Sequence, residues 1–489
     1  MSNNDYQLPD VGLLSVPPHR EGETVAEISR KRDIITRTLR EFGIAGEVTD
    51  HAVGPRVTRF EITLAPCVRV KKIAQITDNL AMELCAAGLR VLVPMRGRKT
   101  VGVEVPRPAA EAVFTRDLME SEAWKGGGEQ IPILLGETWN GAPVIVDLAA
   151  APHILMGGVT GSGKSVCLES LVASLLFRFS PEELKLVMID PKRIEYYDFR
   201  WLPHLLAPVI CDRRKAAGAL NWTVGEIERR FESMHKAGVK NIRQYNDLCG
   251  GEEKKMPRLV VIIDELADLM FFKETREDVE HAICRIAQLG RSAGVHLIVS
   301  TVRPSPGVIT DVIRANFPTR IAFRVLRKED SQAILDQPGA EELLGTGDML
   351  VNWPPMSGFV RTQGAYIPYG DLKNIVAFVG GQVKQEFVPE LLKAMEEYAP
   401  KDGKTLPLSA ELLVAASRFI RDGDDDATRQ AVALILLDRR ASVSCLQRRL
   451  RIGYDRALEI LETLRERELL SPPFGHDGEW EINVPPRDR

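Results

Sequence analysis

The segment from Gly158 to Ser165, Gly-Val-Thr-Gly-Ser-Gly-Lys-Ser, constrains the fold of this chain more than any other part of it. It fits the pattern G-x-x-x-x-G-K-[ST] without a mismatch, follows an apolar run at His153–Met156 and precedes a helix-forming run at Val166–Phe177. A strand, a glycine loop and a helix in this order are the context of a P-loop, where backbone N–H groups and the helix N-terminus surround phosphates. The sequence therefore predicts a nucleotide site within an α/β fold.

Every residue of this loop is expected to contact the nucleotide. Lys164 would reach the β- and γ-phosphates, which makes it a predicted catalytic residue as well. Ser165 would ligate Mg²⁺ through its hydroxyl, so ATP and Mg²⁺ are the predicted cofactors. The predicted cofactor-binding residues of the loop are Gly158, Val159, Thr160, Gly161, Ser162, Gly163, Lys164 and Ser165.

A second half of such a site lies about a hundred residues further along the chain. The apolar run Leu259–Ile263 predicts a fully buried strand, and Asp264 and Glu265 follow it directly. Sheets of α/β proteins place ligands at this end of their strands. Asp264 is predicted to bind the nucleotide through its magnesium ion, and Glu265 to orient and deprotonate an attacking water. An acid pair that merely caps the next helix is the alternative, and the P-loop argues against it.

Composition narrows the class of protein without deciding it. The chain has 489 residues, 44% of them hydrophobic and 27% charged, which is typical of a soluble protein of two to four domains. The net charge of −4 means that any surface for nucleic acid must be local. Seven scattered cysteines without a C-x-x-C pair predict a reduced, cytoplasmic protein without a zinc site. No apolar window is long enough to predict a membrane span.

The pattern along the chain predicts five segments. Residues 1–22 are polar and form an expected N-terminal arm, and the pattern over 23–115 is typical of a compact α+β unit, with one amphipathic helix expected over 73–87. Strands and helices alternate over 116–396, which predicts a mostly parallel sheet, and 397–408 look like a linker. The last domain, 409–485, is predicted to be a winged helix. Its expected helices are 409–420, 427–438, 443–450 and 454–467, and its expected hairpin strands are 468–471 and 479–484. The six strand cores of the central segment are 144–147, 154–156, 186–190, 260–264, 297–300 and 321–325.

With these segments placed, the chain resembles the FtsK/SpoIIIE family. The resemblance covers nearly all of residues 7–482 and implies the family's fold, a RecA-like P-loop motor domain with a small N-terminal α+β domain and a C-terminal winged-helix domain. The segments that carry it are Gly54–Glu61, Leu64–Val70, Met188–Lys192, Asp264–Met270, Gly290–His296, Arg303–Ser305, Pro318–Phe323, Ile334–Gln337, Leu344–Leu350 and Arg451–Tyr454.

The resemblance implies an ATP-hydrolysing homo-hexamer that translocates double-stranded DNA in chromosome segregation, cell division or DNA transfer. Recombinase or divisome proteins are the partners it implies. ATP sites between subunits need an arginine from the neighbouring subunit, which stabilises charge on the transferred phosphoryl group. Arg291, within Gly290–Gly294, is the predicted catalytic arginine, and Arg285, Arg303 and Arg320 are the alternatives.

The chain departs from the family pattern in ways that bear on function. Val302 stands where relatives carry Gln, which puts the coupling of hydrolysis to movement in doubt because Val has no side-chain hydrogen bond to offer. Members at a division septum carry membrane helices ahead of the α domain, whereas this chain starts at that domain. A soluble relative and a shortened chain are both compatible with this start.

The last domain carries basic residues but lacks the expected base-reading side chains. Asp455 and Glu459 stand where relatives use Asn and Arg to read the family's guanine-rich octamer, whereas a carboxylate pairs with the amino group of cytosine N4. Phosphate contact is the functional interpretation of the surrounding arginines, and a solvated face is the alternative. The predicted DNA-binding residues are Arg439, Arg440, Arg448, Arg449, Arg451 and Arg456.

Two other functions stay open from sequence alone. One is a secretion-type motor of the same superfamily that moves protein, against which the N-terminal α+β segment and the winged helix argue. The other is an assembly that holds DNA but couples hydrolysis poorly, and Val302 is the residue that favours it.

Overall fold

The structure is a computed structural model in which the chain divides into two units, Met1–Ala399 and Pro400–Arg489, each described here by itself. In the residues it describes, no helix has both the length and the apolar character needed to cross a membrane. The described residues are 6–20, 22–66, 68–86, 88–92, 100–108, 110–249, 255–354, 358–398, 419, 421, 424, 428, 431, 432, 434, 435, 441–450, 453–471 and 479–483.

The N-terminal arm is anchored on the large unit. A 3₁₀ turn, Val11–Leu13, is capped by the Asp10 carboxylate, and the following Leu14 is buried in the core of that unit. The hydroxyl of Ser15 donates to the Asp371 carboxylate at 2.6 Å, and its main-chain N–H donates to the same group at 2.8 Å. The arm is therefore ordered by contacts with residues more than three hundred positions away in the chain.

A four-stranded antiparallel sheet in the order β1-β2-β4-β3 follows the arm. Helix α1 begins in a capping box in which Thr24 and Glu27 satisfy each other's backbone N–H groups. The sheet and helices share a core that includes Leu39, Phe60 and Leu80. The elements are α1 Val25–Glu41, β1 Gly46–Val53, β2 Val57–Leu64, α2 Lys71–Gln75, α3 Thr77–Glu83, β3 Arg90–Leu92 and β4 Thr100–Pro106.

This domain matches the expected α+β character and differs in two elements. The segment expected as one helix from 73 to 87 is two helices, α2 and α3, because Ile76 leaves the helical region at φ −103° and ψ 11°. Strand β1 was not expected, since its sequence shows no regular alternation and only Val48 within it is buried. The segment forms a strand because it pairs with β2, and the hydrophobic pattern of β1 gives no signal for it.

The second sheet has ten strands, and its parallel half contains five of the six expected strand cores, whereas the core at 144–147 lies in the antiparallel half. Strand β8 lies at the centre between β12 and β11, and β10 and β9 extend the sheet with every pair parallel. The strands are β5 Val113–Phe114, β6 Pro132–Thr138, β7 Pro143–Asp147, β8 His153–Gly157, β9 Leu184–Ile189, β10 Arg258–Ile263, β11 Val295–Thr301, β12 Thr319–Phe323, β13 Asp348–Asn352 and β14 Val360–Tyr366.

Five of the nine described strand pairs are parallel, as expected, and the other half of this sheet adds antiparallel pairs that the sequence did not predict. The pairs β12–β13, β13–β14, β14–β6 and β6–β7 are all antiparallel, and the short β5 alone runs parallel beside β14. The physical reason is connection length, because β6 and β7 are joined by four residues and β13 and β14 by seven. Parallel neighbours need a longer crossover.

Helices cover both faces of this sheet and bury two hydrophobic clusters against it. Helix α6 packs beside β6 and β14, and α10 packs on α7 and β11. The helices of the motor segment are α4 Thr115–Glu120, α5 Glu122–Lys125, α6 Lys164–Leu176, α7 Arg213–Lys236, α8 Ile242–Leu248, α9 Leu266–Met270, α10 Arg276–Ala293, α11 Asp311–Asn316, α12 Lys328–Leu335, α13 Tyr369–Gly380 and α14 Pro389–Glu396.

The C-terminal unit has a small core and a three-stranded antiparallel sheet in the order β15-β17-β16. Its last two helices and its hairpin lie where the sequence predicted them. The segments expected as helices at 409–420 and 427–438, and most of the expected linker, lie outside the described residues. The described elements are β15 Ala441–Ser442, α15 Val443–Leu450, α16 Tyr454–Glu466, β16 Leu470–Ser471 and β17 Glu479–Ile482.

Candidate active site

The predicted phosphate loop connects β8 to α6 at the carboxyl edge of the parallel strands. Gly161 and Gly163 adopt φ values of +77° and +105°, which residues with a Cβ adopt at a cost. A Cβ on Gly158 would lie 2.6 Å from the Cβ of Phe323. The loop conformation therefore requires glycine at these places for reasons of backbone strain and close approach.

Lys164 begins α6 and is directed toward the second half of the site. Its ammonium donates to the Ser300 hydroxyl at 3.3 Å and lies 3.7 Å from Oδ1 of Asp264. The side chain is 95% buried, so its charge acts in a medium of low polarity. The structure thus brings together Lys164 and Asp264, which are a hundred residues apart in sequence.

Asp264 is a buried carboxylate without hydrogen-bond donors. Among the described residues, none donates a hydrogen bond to either of its oxygens, and the side chain is 1% exposed. Burial raises the pKa of this carboxyl to about 6, against the opposing charge of Lys164. An unsatisfied carboxylate close to a P-loop has the oxygen chemistry that Mg²⁺ prefers, so the predicted donors Ser165 and Asp264 fit this ion.

Glu265, the next residue, has the opposite surroundings because several groups donate to its carboxylate. Thr301 donates its hydroxyl to Oε1 at 2.7 Å, and the Lys192 ammonium donates to Oε2 at 2.8 Å. The main-chain N–H of Val302 lies 3.2 and 3.3 Å from the two oxygens. Burial alone raises the pKa of Glu265, but the hydrogen bonds from Lys192 and Thr301 outweigh it and hold the pKa below its ordinary value.

Lys192 is a site residue to which sequence reasoning gave no role. It lies in the turn after β9, the strand next to β10, so both strands deliver side chains to the same edge of the sheet. The available signal was the segment Met188–Lys192, which carried the family resemblance. Neither charge pattern nor spacing indicated that its ammonium contacts Glu265, 73 residues away.

A turn before β13 supports the phosphate loop from the side. Gly345, Thr346 and Gly347 all have positive φ, at 82°, 53° and 90°. The N–H of Gly347 donates to the Ser162 carbonyl at 2.8 Å, and a Cβ on Gly163 would lie 2.3 Å from the Gly347 nitrogen. The two backbones are in contact, so this turn fixes the shape of the loop.

A buried chain of charges links that turn to the N-terminal sheet. Arg361 on β14 donates two hydrogen bonds to Asp348 at 2.9 and 2.6 Å and a third to Glu104 on β4 at 2.5 Å. Glu104 also accepts from Arg59 on β2. Asp348 in turn accepts the Leu344 N–H at 2.8 Å, at the start of the turn. The N-terminal domain therefore contributes directly to the support of the nucleotide site.

These parts enclose a cavity of about 480 Å³ lined by P-loop residues 159–161 and 163–166. Lys192 and Val302 line it near Glu265, and Arg56 lines it from the N-terminal domain. The Arg56 guanidinium donates to the Gly345 carbonyl at 3.3 Å, and burial lowers the pKa of this group. A cavity of this volume with cations at its wall is suited to a nucleotide.

The four candidate arginines lie in different places relative to this cavity. Arg291 is exposed near the end of α10, before β11 begins, and so lies at the edge of the sheet opposite the phosphate loop. Arg303 follows β11 at the same edge as Glu265. Arg320 pairs with Asp336, and Arg285 lies 3.6 Å from Glu228.

The predicted DNA contacts are described only in part. Arg439, Arg440 and Arg451 lie outside the described residues, and Arg448 and Arg449 are placed on α15 without a side-chain description. Arg456 on α16 pairs with Glu459 at 2.5 Å. Asp455 and Glu459 are exposed on that helix, opposite its buried residues, which are Ala457, Ile460, Leu461 and Leu464.

Three family models match the chain in order. The FtsK alpha domain matches residues 8–107, the FtsK/SpoIIIE family 115–306 and the FtsK gamma domain 422–482. A DNA translocase FtsK from Clostridium acetobutylicum is 38% identical over 97% of this chain and 60% of its own length. Another from Caldanaerobacter subterraneus is 40% identical over 97% of this chain and 63% of its own length. The chain thus spans under two thirds of these relatives.

Solved structures give a weaker likeness. The conjugation coupling protein TcpA of pCW3, in its monomer form with ATPγS, aligns with 69% of this chain and 96% of its own. Its TM-score is 0.49 and the sequences are 22% identical.

Proposed function

This chain belongs to the FtsK/SpoIIIE family, and on that premise we propose that it is an ATP-hydrolysing motor that translocates double-stranded DNA. The proposal includes the family's context, which is chromosome segregation, cell division or DNA transfer in the cytoplasm. It also includes assembly as a homo-hexamer, with recombinase or divisome proteins as partners. The observation that supports it most is the meeting of Lys164, Asp264 and Glu265 at one edge of the sheet.

The hydrolysis proposed for this site uses a water molecule as nucleophile. Its oxygen attacks the γ-phosphorus, the bond to the bridging oxygen of ADP breaks, and the water proton passes to the Glu265 carboxylate. Lys164 binds the β- and γ-phosphates with a charge that burial strengthens. Ser165 and Asp264 would hold Mg²⁺, and the ion when bound would supply positive charge against the charge that develops on the phosphates.

The domain boundaries are part of the same proposal. We assign residues 1–22 to an arm, 23–115 to the alpha domain, 116–396 to the motor, 397–408 to a linker and 409–485 to the winged helix. Buried contacts of Glu104 with Arg361 support a close association of the first two domains.

An assembly that holds DNA but couples hydrolysis poorly is the second candidate. It is favoured by Val302, which offers Glu265 a main-chain N–H and no side-chain donor. A secretion-type motor has no such observation in its favour within the described residues.

Two measurements on the full chain separate these functions. ATPase activity should rise on addition of long duplex DNA, and no rise would contradict action on DNA. Displacement of a triplex-forming strand from the same duplex should require ATP and an intact Lys164. Stimulated hydrolysis without displacement would favour the assembly that only holds DNA.

A further inference from the structure

The two oxygens of the Glu265 carboxylate are held by different kinds of donor. Oε1 accepts neutral groups, the Thr301 hydroxyl at 2.7 Å and the Ala267 N–H at 3.3 Å. Oε2 accepts the charged ammonium of Lys192 at 2.8 Å, and the Val302 N–H lies between the two oxygens, 3.2 Å from Oε1 and 3.3 Å from Oε2. Hydrogen bonds from a charged donor are the stronger kind. The ammonium and the N–H together take both acceptor positions of Oε2, so this oxygen can serve a water molecule only when Lys192 leaves it.

Lys192 has a fixed backbone and a side chain with room to move. The Asp190 carboxylate accepts the N–H groups of Lys192, Arg193 and Glu195 at 3.0 to 3.1 Å, which locks the turn. The Lys192 side chain is nevertheless 34% exposed, whereas that of Glu265 is 2% exposed. Its exposed part lines the nucleotide cavity. A lysine in this position can exchange one anion for another without any change in the main chain.

We propose that Lys192 distinguishes a nucleoside triphosphate from a diphosphate by moving its ammonium from Oε2 of Glu265 to the oxygens of the terminal phosphate. One acceptor position of Oε2 is then free for a water molecule only when a triphosphate is bound. This inference rests on the proposed ATPase function. It gives Lys192 two roles, which are to recognise the γ-phosphate and to free Glu265 to act as the base.

Charge explains why the exchange would run in this direction. A terminal phosphate carries more negative charge than one carboxylate and presents three acceptor oxygens, so it attracts the ammonium more strongly. A diphosphate lacks the group that would lie next to Glu265. Val302 offers only its main-chain N–H there, and Lys192 is the side-chain donor that contacts Oε2 among the described residues.

Binding of fluorescent ADP and of the fluorescent β,γ-imido analogue of ATP to the full chain tests the proposal. Lys192→Met should lower affinity for the triphosphate analogue about tenfold or more, because a charge-assisted hydrogen bond is lost. Affinity for ADP should stay within about twofold by the same reasoning, and this also reports that the pocket is intact. Lys192→Arg, which keeps the charge, should recover part of the preference.

Triphosphate affinity would also fall in Lys192→Met if Lys192 only neutralised Glu265, because its removal leaves Glu265 as an uncompensated anion that repels the phosphates. The Glu265→Gln background removes that anion. In this background the added Lys192→Met change should still lower triphosphate affinity about tenfold. Glu265→Gln alone should raise triphosphate affinity, because the ammonium no longer has to leave a carboxylate.

If Lys192→Met has no effect on triphosphate affinity in the Glu265→Gln background, Lys192 only neutralises the glutamate and the proposal is wrong. Arg193→Met is the matched control, a basic residue in the same turn that does not bond to Glu265, and it should leave both affinities unchanged. A parent protein that binds neither nucleotide would instead contradict the proposed function.

Discussion

Adjacent carboxylates in this site have been given opposite properties by their surroundings. Burial raises the pKa of Asp264 to about 6, whereas hydrogen bonds from Lys192 and Thr301 hold the pKa of Glu265 below its ordinary value. The first arrangement suits a ligand for a cation, and the second suits a base that is ionised near neutral pH. These two consecutive residues therefore have different proposed roles.

Replacement of the proposed base should separate binding from turnover. Glu265→Gln keeps the side-chain shape and its contacts with Thr301 and Val302, so ATP binding should persist. Hydrolysis should fall by about a hundredfold or more, since a positioned base contributes that much. Steady-state ATPase beside an equilibrium binding assay measures both. A variant that hydrolyses ATP at the parental rate would remove Glu265 from the mechanism.

Three buried histidines make the stability of the large unit depend on pH. Burial lowers the pKa of His153 to about 3 and those of His204 and His296 to about 4. The unfolded chain takes up protons near pH 6.5 and the folded chain does not, so stability falls as pH drops below that value. The loss is about 1.4 kcal/mol per pH unit for each histidine until its folded pKa is reached.

The variant His204→Gln should show this dependence directly. The His204 ring lies 3.0 Å from the Phe179 carbonyl, and a glutamine amide can replace that hydrogen bond without titrating. Between pH 6.5 and 5 its free energy of unfolding, from urea titration, should fall less steeply than the parent's by about 1.4 kcal/mol per pH unit. Equal slopes would show that this histidine is not buried as a neutral ring.

At the level of elements, the turn at Gly345–Gly347 offers a test of how the phosphate loop is shaped. Gly347→Ala places a Cβ 2.7 Å from Nε2 of Gln363 at a φ of +90°, and Gly347 is the residue that bonds to Ser162. The variant should lose about 1–2 kcal/mol of stability from the left-handed backbone alone. Nucleotide affinity should also fall, because the support of the loop shifts.

Gly345→Ala is the matched control for that change. Its φ of +82° brings the same backbone cost, but its Cβ would only touch Cδ of Arg324 at 3.6 Å. It should therefore lose stability with little change in nucleotide affinity. Thermal unfolding and nucleotide titration of both variants separate the two effects. Equal affinities for Gly345→Ala and Gly347→Ala would show that contact with Ser162 has no part in binding.

Helix α16 should bind duplex DNA with little preference for the guanine-rich octamer expected of the family. Asp455 and Glu459 are exposed on it, and Glu459 also pairs with Arg456. Changing the two acids together to Asn and Arg in the full chain should raise discrimination by about 1–3 kcal/mol for each base that the new side chains bind. Competition between octamer and scrambled duplexes measures it. Strong octamer preference in the parent would contradict this account of the helix.

The elements also show what the sequence could predict. The phosphate loop and the strand before Asp264 were predictable because the residues that define each of them are consecutive in the sequence. The contact of Lys192 with Glu265 was not, nor was that of Glu104 with Arg361, because residues 73 and 257 positions apart meet only through sheet pairing. The antiparallel half was missed for the same reason, since hairpin pairing of β13 with β14 has no periodic signal of its own.

At the scale of the whole molecule, strand direction decides which arginine can act within one subunit. Strand β11 runs from Val295 to Thr301, and Thr301 lies beside Gly157 at the phosphate loop. Arg291 precedes this strand, so seven residues of extended chain, roughly 20 Å, separate it from the loop of its own subunit. If Arg291 serves a nucleotide, that nucleotide belongs to a neighbouring copy. Arg303, by contrast, follows the same strand at the phosphate-loop edge, where its main-chain N–H donates to the Thr301 hydroxyl.

Mixed assemblies test this prediction of a site shared between subunits. Arg291→Ala should bind nucleotide as the parent does and lose about 10³-fold or more in turnover, as expected for a lost arginine finger. Mixed with inactive Lys164→Ala protein, it should regain activity, because the second variant supplies an intact Arg291 to an intact phosphate loop. Arg303→Ala mixed in the same way is the control and should regain nothing, since its position allows action only in its own subunit. Absence of recovery for Arg291→Ala at every mixing ratio would show that another arginine completes the site.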